Sequence, residues 1–140
     1  MFTEAPEVGM ISLHHVHLYT SDMAAAIKFY QKFFDAEVVM DMHDKHERYV
    51  SMQIGKGRLL LLQTDAPTPN QRGLAHIGIQ TDDQEALLGK LKQAGVPLRE
   101  KPTDYIFWKT AKVEGPDNVL IEILEIDKEK MPKKYIGFFD

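Results

Sequence analysis

The chain has 140 residues, of which 44% are hydrophobic and 27% charged, as is ordinary for one soluble globular domain with a real core. Its net charge is −4 (17 basic against 21 acidic residues), and no apolar run approaches the roughly 20 residues of a membrane span, so we expect neither a nucleic-acid nor a membrane partner. There is no cysteine, which excludes disulfides and thiol chemistry and limits any metal site to His, Asp, Glu, Gln or Asn. Residues 1–10 are acidic and lack a signal-peptide pattern, which favours the cytoplasm.

The first half of the chain, about residues 11–64, reads as a strand, a helix and three further strands. Alternating polarity predicts the first strand, and Asp22 supplies the N-cap of the helix that follows. The predicted strands cover residues 11–19, 36–42, 48–54 and 58–64, and the predicted helix covers residues 23–34. Residues 65–73, with two prolines, Asn70 and Gly73, read as a linker.

The second half, about residues 74–126, repeats this order. Gly95 ends its helix, and Asn118 suits a left-handed turn position before the last strand. The predicted strands cover residues 74–80, 98–101, 107–113 and 119–126, and the predicted helix covers residues 83–94. The tail, residues 127–140, has no assigned structure. We therefore predict a single α+β domain made of two tandem βαβββ modules.

The two halves also align residue by residue. His15 falls on His76 and Asp22 on Asp83, with apolar residues matched between them. With a slightly shorter offset, Gln63 falls on Glu122. A period of about 60 residues is longer than that of solenoid repeats, so the sequence indicates one duplicated module.

The duplication predicts a pseudo-twofold set of metal ligands. Two modules forming a curved mixed sheet would enclose a cleft lined by alternate strand residues, and the set facing it would be His15, His76, Gln63 and Glu122. Mixed nitrogen and oxygen ligation suits one divalent ion, Zn, Ni, Co, Mn or Fe, with space for water or substrate. A polar or apolar binding cleft without metal is the alternative.

The motifs resemble the glyoxalase / bleomycin-resistance / extradiol-dioxygenase superfamily, also called vicinal oxygen chelate proteins. The matching pieces are His15-Val16-x-Leu18-x-x-x-Asp22, His76-Ile77-x-Ile79-x-x-Asp82-Asp83 and Gly115-Pro116-Asp117-Asn118-x-x-Ile121-Glu122. The resemblance implies paired modules, a divalent metal, and ligands at His15, His76 and Glu122. Gln63 takes the fourth ligand position by internal repeat and by preceding Pro67, as in the methylmalonyl-CoA epimerases. A slip of one or two residues would place a leucine there and leave three ligands, as in fosfomycin-resistance proteins and extradiol dioxygenases.

His17 departs from the family pattern. It shares a strand face with His15, where the family has small or hydroxyl residues. Because histidine titrates near neutral pH, His17 could donate a hydrogen bond, shuttle protons or contact substrate, or it could be a wall residue without chemistry. His14, on the other face, is expected to point toward the helices or outward. Tyr49 and Ser51 are candidate cleft walls, although either face of their strand fits.

Three functions compete for this chain. The favoured one is a metal-dependent lyase or isomerase that acts on a small oxygen-bearing molecule through a metal-stabilised enediolate, with Glu122 moving a proton and His17 as helper. An Fe(II) extradiol-type dioxygenase would use His15, His76 and Glu122 as a facial triad. A bleomycin-resistance-like protein would bind its ligand without metal. The resemblance favours a homodimer, and the aromatic tail, residues 135–139, offers apolar surface for a partner to cover.

Overall fold

The computed structural model describes residues 9–68 and 72–140, and the chain forms two compact units, one of residues 15–77 and one that joins the residues before 15 to residues 78–140. The elements are β1 (Ile11–Tyr19), α1 (Met23–Phe34), β2 (Glu37–His43), β3 (Glu47–Ile54), β4 (Gly57–Thr64), β5 (Gly73–Thr81), α2 (Gln84–Gln93), β6 (Leu98–Asp104), β7 (Trp108–Glu114) and β8 (Leu120–Ile126). Both halves thus have the predicted order of elements. Part of the predicted linker and most of the predicted N-terminal lead-in lie outside the described residues. The single-domain assignment stays a prediction.

The described residues contain eight strands in one mixed sheet, with the order β2-β3-β4-β1-β5-β8-β7-β6. Within the first module β1 pairs with β4 in parallel, whereas β2, β3 and β4 pair antiparallel. In the second module β6, β7 and β8 also pair antiparallel. Two helices and a mixed open sheet confirm the predicted α+β class.

Helix α1 fixes which face of the first module is the core. It begins at the predicted cap, where Asp22 Oδ1 accepts the backbone N–H of Ala25 at 3.0 Å. Its buried residue Met23 packs against Val50, Met52 and Leu61, which therefore face the helix. Because strand side chains alternate, the intervening residues of β3 and β4 lie on the other face.

Helix α2 repeats this arrangement in the second module. Asp83, expected to be the first residue of this helix, is instead its N-cap and accepts a 3.0 Å hydrogen bond from the N–H of Ala86. Gly95 follows the helix with φ +80°, a left-handed conformation that glycine adopts without steric cost. Leu87 packs with Val113 and Ile123 to form the core of this module.

The C-terminal tail is the main difference from the sequence prediction. Phe139 is 1% exposed and lies against Trp108 and Phe107, at ring centroid distances of 5.8 and 6.4 Å. Phe138 is buried beside it, so much of the apolar surface that was offered as a reason for dimerisation is covered within the chain. The homodimer itself stays a prediction.

Strand β6 runs three residues further than predicted, to Asp104. Its residues are all exposed, and its pairing with β7 shifts register twice. Pro102 is compatible with such an edge strand, because an edge strand has N–H positions that need no partner. Neither helix in the described ranges is both long and apolar enough to cross a lipid bilayer.

Candidate metal centre

Three buried histidines meet on the face of β1 and β5 that points away from α1. His15 and His17 alternate with Leu18, which packs against the α1 core. His15 Nε2 lies 3.2 Å from His76 Nε2, and His17 Nδ1 lies 3.3 Å from the same atom. His15, His17 and His76 are 4%, 8% and 6% exposed, respectively. One ring nitrogen from each lies within 4.8 Å of the other two.

The spacing of these nitrogens fits a single metal ion. A Zn²⁺–imidazole bond is about 2.0–2.1 Å, so two nitrogens at the tetrahedral angle are about 3.3 Å apart. The separations of 3.2 and 3.3 Å agree with that value. In a neutral imidazole each ring nitrogen carries either one proton or one lone pair. A metal ion bound by a lone pair from each of the three rings would explain why two nitrogens approach His76 Nε2. Imidazole suits Zn, Cu, Fe and Ni, and the residues present fit a divalent ion.

Gln63 does not lie with the histidines, which corrects its prediction as a ligand. Its Oε1 accepts the backbone N–H of Met23 at 2.7 Å, at the start of α1. The first N–H groups of a helix have no partner within the helix, and Gln63 supplies one. Leu61 faces the same core, so alternation along β4 places Leu60 and Leu62 on the histidine face instead.

The second module shows why the predicted pairing of Gln63 with Glu122 was wrong. There the backbone N–H of Gln84, the first residue of α2, donates to Glu125 Oε1 at 2.7 Å. Glu125 is therefore the structural counterpart of Gln63, and Leu60, three residues earlier, is the counterpart of Glu122. Aligning the two helix-capping side chains, both polar and both late in an apolar strand, would have revealed this register.

Glu122 belongs to the other compact unit, on β8. It lies opposite Lys112 in the β7–β8 ladder, on the strand face away from the α2 core. Burial raises the pKa of its carboxyl to about 7, an effect that Lys112 opposes and Glu100 reinforces. A carboxyl of this pKa can hold or release a proton near neutral pH. Its assignment as a metal ligand stays a prediction from the sequence.

Comparison with known proteins settles the family. Residues 12–123 match the Glyoxalase/Bleomycin resistance protein/Dioxygenase superfamily, which is most of the chain. The chain belongs to this superfamily. No curated protein sequence matches it significantly.

Solved structures of the same fold superpose on most of this chain. A hypothetical protein from Bacillus halodurans C-125 superposes with a TM-score of 0.72 at 18% identity, covering 87% of this chain and 99% of that chain. Methylmalonyl-CoA epimerase from Mycobacterium tuberculosis gives 0.70 at 18% identity, covering 84% and 89%. A variant of the Streptomyces coelicolor epimerase in complex with 2-nitronate-propionyl-CoA gives 0.69 at 19% identity, covering 86% and 98%. At these identities the likeness shows the fold.

Two polar side chains of β3, Tyr49 and Ser51, lie on the same face of the sheet as the histidines. The sequence fitted either face for them. The ring of Tyr49 lies edge-on to His17, with centroids 5.7 Å apart. Ser51 is completely buried on the same face of β3, and among the described residues its Oγ has no hydrogen-bond partner. Leaving a buried hydroxyl unpaired costs about 1–3 kcal/mol, so Ser51 is a candidate contact for a bound water or substrate oxygen.

His14 has a structural role distinct from the cluster. It is buried, its Nε2 is hydrogen-bonded to the backbone carbonyl of Phe139, and the two rings stack with centroids 6.3 Å apart. The expectation that His14 points outward or toward a helix missed this contact, because nothing local in the sequence indicates where the tail packs.

Proposed function

We propose that this superfamily member is a divalent-metal-dependent enzyme of isomerase or lyase type that acts on a small oxygen-bearing molecule. The observation that carries the proposal is the 3.2 Å approach of two buried imidazole nitrogens, on His15 and His76, from equivalent positions of the duplicated modules. The fold it shares with methylmalonyl-CoA epimerases supports isomerase-type chemistry. A bound divalent ion would act as a Lewis acid toward a substrate oxygen.

The chain's own side chains would bind the ion and move the proton. The buried histidines hold the ion through ring nitrogens, in a place that bulk water reaches poorly. Glu122, with a pKa of about 7, takes a proton from a carbon next to a carbonyl and returns it, because a general base works best when its pKa lies near the working pH. The buried hydroxyl of Ser51 is placed to bond a substrate oxygen.

The proposal is tested first by elemental analysis of protein purified without chelator. We expect close to one equivalent of Zn, Ni, Co, Mn or Fe per chain. His76→Ala should lose most of it, whereas the surface control His46→Ala should keep it, since the side chain of His46 is 63% exposed. Metal-free wild-type protein that binds no added metal would overturn the proposal in favour of a ligand-binding protein.

The reaction class is tested by proton exchange. The metal-loaded protein should catalyse incorporation of solvent deuterium at the carbon next to the carbonyl in members of a panel of α-hydroxy ketones and acyl thioesters, followed by NMR. Chelator should abolish the exchange. Oxygen consumption with catechols, in place of exchange, would assign the protein to the dioxygenase alternative.

A homodimer and a cytoplasmic location are also proposed, on the resemblance and the sequence. Light scattering at working concentration tests the dimer, which a monomer mass would contradict. Cell fractionation tests the location.

A further inference from the structure

We propose that His17 is itself a metal ligand, so that the centre is built on three histidines, His15, His17 and His76. In this arrangement both ligands of the first module, His15 and His17, come from β1, whereas β4 supplies none. The inference rests on the proposed metal-dependent function and goes beyond it in naming the donor set.

His17 and His15 approach His76 in the same way. Each brings one ring nitrogen to His76 Nε2, at 3.3 and 3.2 Å. The rings of His17 and His76 are nearly perpendicular, with an interplanar angle of 78° and centroids 4.6 Å apart. A single proton or lone pair on His76 Nε2 serves one hydrogen bond, whereas one ion held by all three rings accounts for both approaches to that atom.

The register of the first module explains why a histidine is needed on β1. His17 lies beside Leu60 in the parallel β1–β4 ladder. Leu60 is the counterpart of Glu122, as the two helix-capping contacts show. The strand position that carries a carboxylate in the second module thus carries a side chain with no donor atom in the first.

The second module shows the complementary arrangement. Counted from the His15–His76 equivalence, the counterpart of His17 on β5 is Gly78, which has no side chain. At this pair of strand positions each module therefore has one side chain with a donor atom. In the first module it is His17 on β1, beside the apolar Leu60 on β4. In the second module it is Glu122 on β8, and the corresponding β5 residue is Gly78. Neighbouring strands are about 4.8 Å apart, so a long side chain on β1 can take over a position left by β4.

Three neutral imidazoles make a nitrogen-rich centre. Nitrogen ligands favour Zn²⁺, Co²⁺ and Ni²⁺, whereas oxygen-rich sets suit Mn²⁺ better. We therefore expect the purified protein to bind Zn²⁺ or Co²⁺ far more tightly than Mn²⁺.

The direct test is NMR of the metal-free protein labelled with ¹⁵N-histidine, titrated with Zn²⁺. The His17 Nδ1 resonance should move to a metal-bound shift together with one ring nitrogen each of His15 and His76. Resonances are assigned with single His→Ala variants. The titration itself is carried out on the wild-type chain, and the variants serve only to assign its resonances.

The second test is the affinity for Co²⁺, measured by chelator competition and by the visible spectrum of the bound ion. His17→Ala should lower the affinity more than 100-fold and change the spectrum, because removing a mere supporting partner of a ligand costs roughly 10–100-fold. His46→Ala is the matched surface control. If His76→Ala binds Co²⁺ as wild type does, the proposed metal site is wrong. If His76→Ala loses Co²⁺ while His17→Ala keeps it and the Nδ1 resonance does not move, only the role of His17 is wrong.

Discussion

Replacing Glu122 by glutamine should stabilise the metal-free protein, and by more as the pH rises. The pKa of this carboxyl is raised from 4.5 to about 7 in the folded protein, chiefly by burial. That difference of about 2.5 units corresponds to about 3.4 kcal/mol, at about 1.36 kcal/mol per unit. Glutamine keeps the size of the side chain but has no charge to bury.

The sign follows from which state ionises first. Below pH 4.5, the reference pKa, both states hold the proton and Glu122 imposes no cost. As the pH rises toward the folded-state value, the unfolded chain ionises first, so stability is lost. Above that value both are ionised and the full cost remains. The free energy of unfolding of Glu122→Gln minus that of wild type should therefore grow by about 2.5 kcal/mol between about pH 5 and about pH 8.5.

Urea unfolding in the presence of chelator measures this difference, with the fluorescence of Trp108, the sole tryptophan of the chain, as the probe. Glu37→Gln, which removes an exposed glutamate from β2, is the control and should change stability by no more than about 0.5 kcal/mol. A difference for Glu122→Gln that stays constant across this pH range would show that burial of the carboxyl does not perturb its ionisation.

Three further predictions concern the metal centre and the tail. Gln63→Leu should leave Co²⁺ affinity within about twofold of wild type but cost about 1 kcal/mol in urea unfolding, because it removes an acceptor at the start of α1; a large loss of metal would contradict its placement. In the His17→Ala background, Leu60→Glu should restore Co²⁺ affinity at least tenfold, and no recovery would argue against its equivalence with Glu122. Phe139→Ala should lower stability by about 3–5 kcal/mol, as measured by thermal or urea unfolding, whereas the exposed Ile136→Ala should be nearly neutral.

Local periodicity determined most of the elements. The alternation of residues 11–19 and the apolar face of residues 23–34 predicted β1 and α1 with the observed bounds. The cap Asp22 was also readable, because capping needs only a short polar side chain just ahead of a helix, whereas Asp83 was expected within its helix and is instead the cap. Matching the two first strands identified His15 and His76 as equivalent, and the structure brings these two residues together.

Only the tertiary structure decided which face each strand presents and which strands are neighbours. In β4 four consecutive leucines precede Gln63, so apolar alternation is lost and a shift of one residue would reverse the face of every side chain. The hydrogen bond of Gln63 to Met23 fixed that register. His17 joins the cluster because β5 lies beside β1, a pairing between strands far apart in sequence that no short-range pattern specifies. The burial of Phe139 depends in the same way on a long-range contact, which physical complementarity of the folded chain selects and local sequence does not.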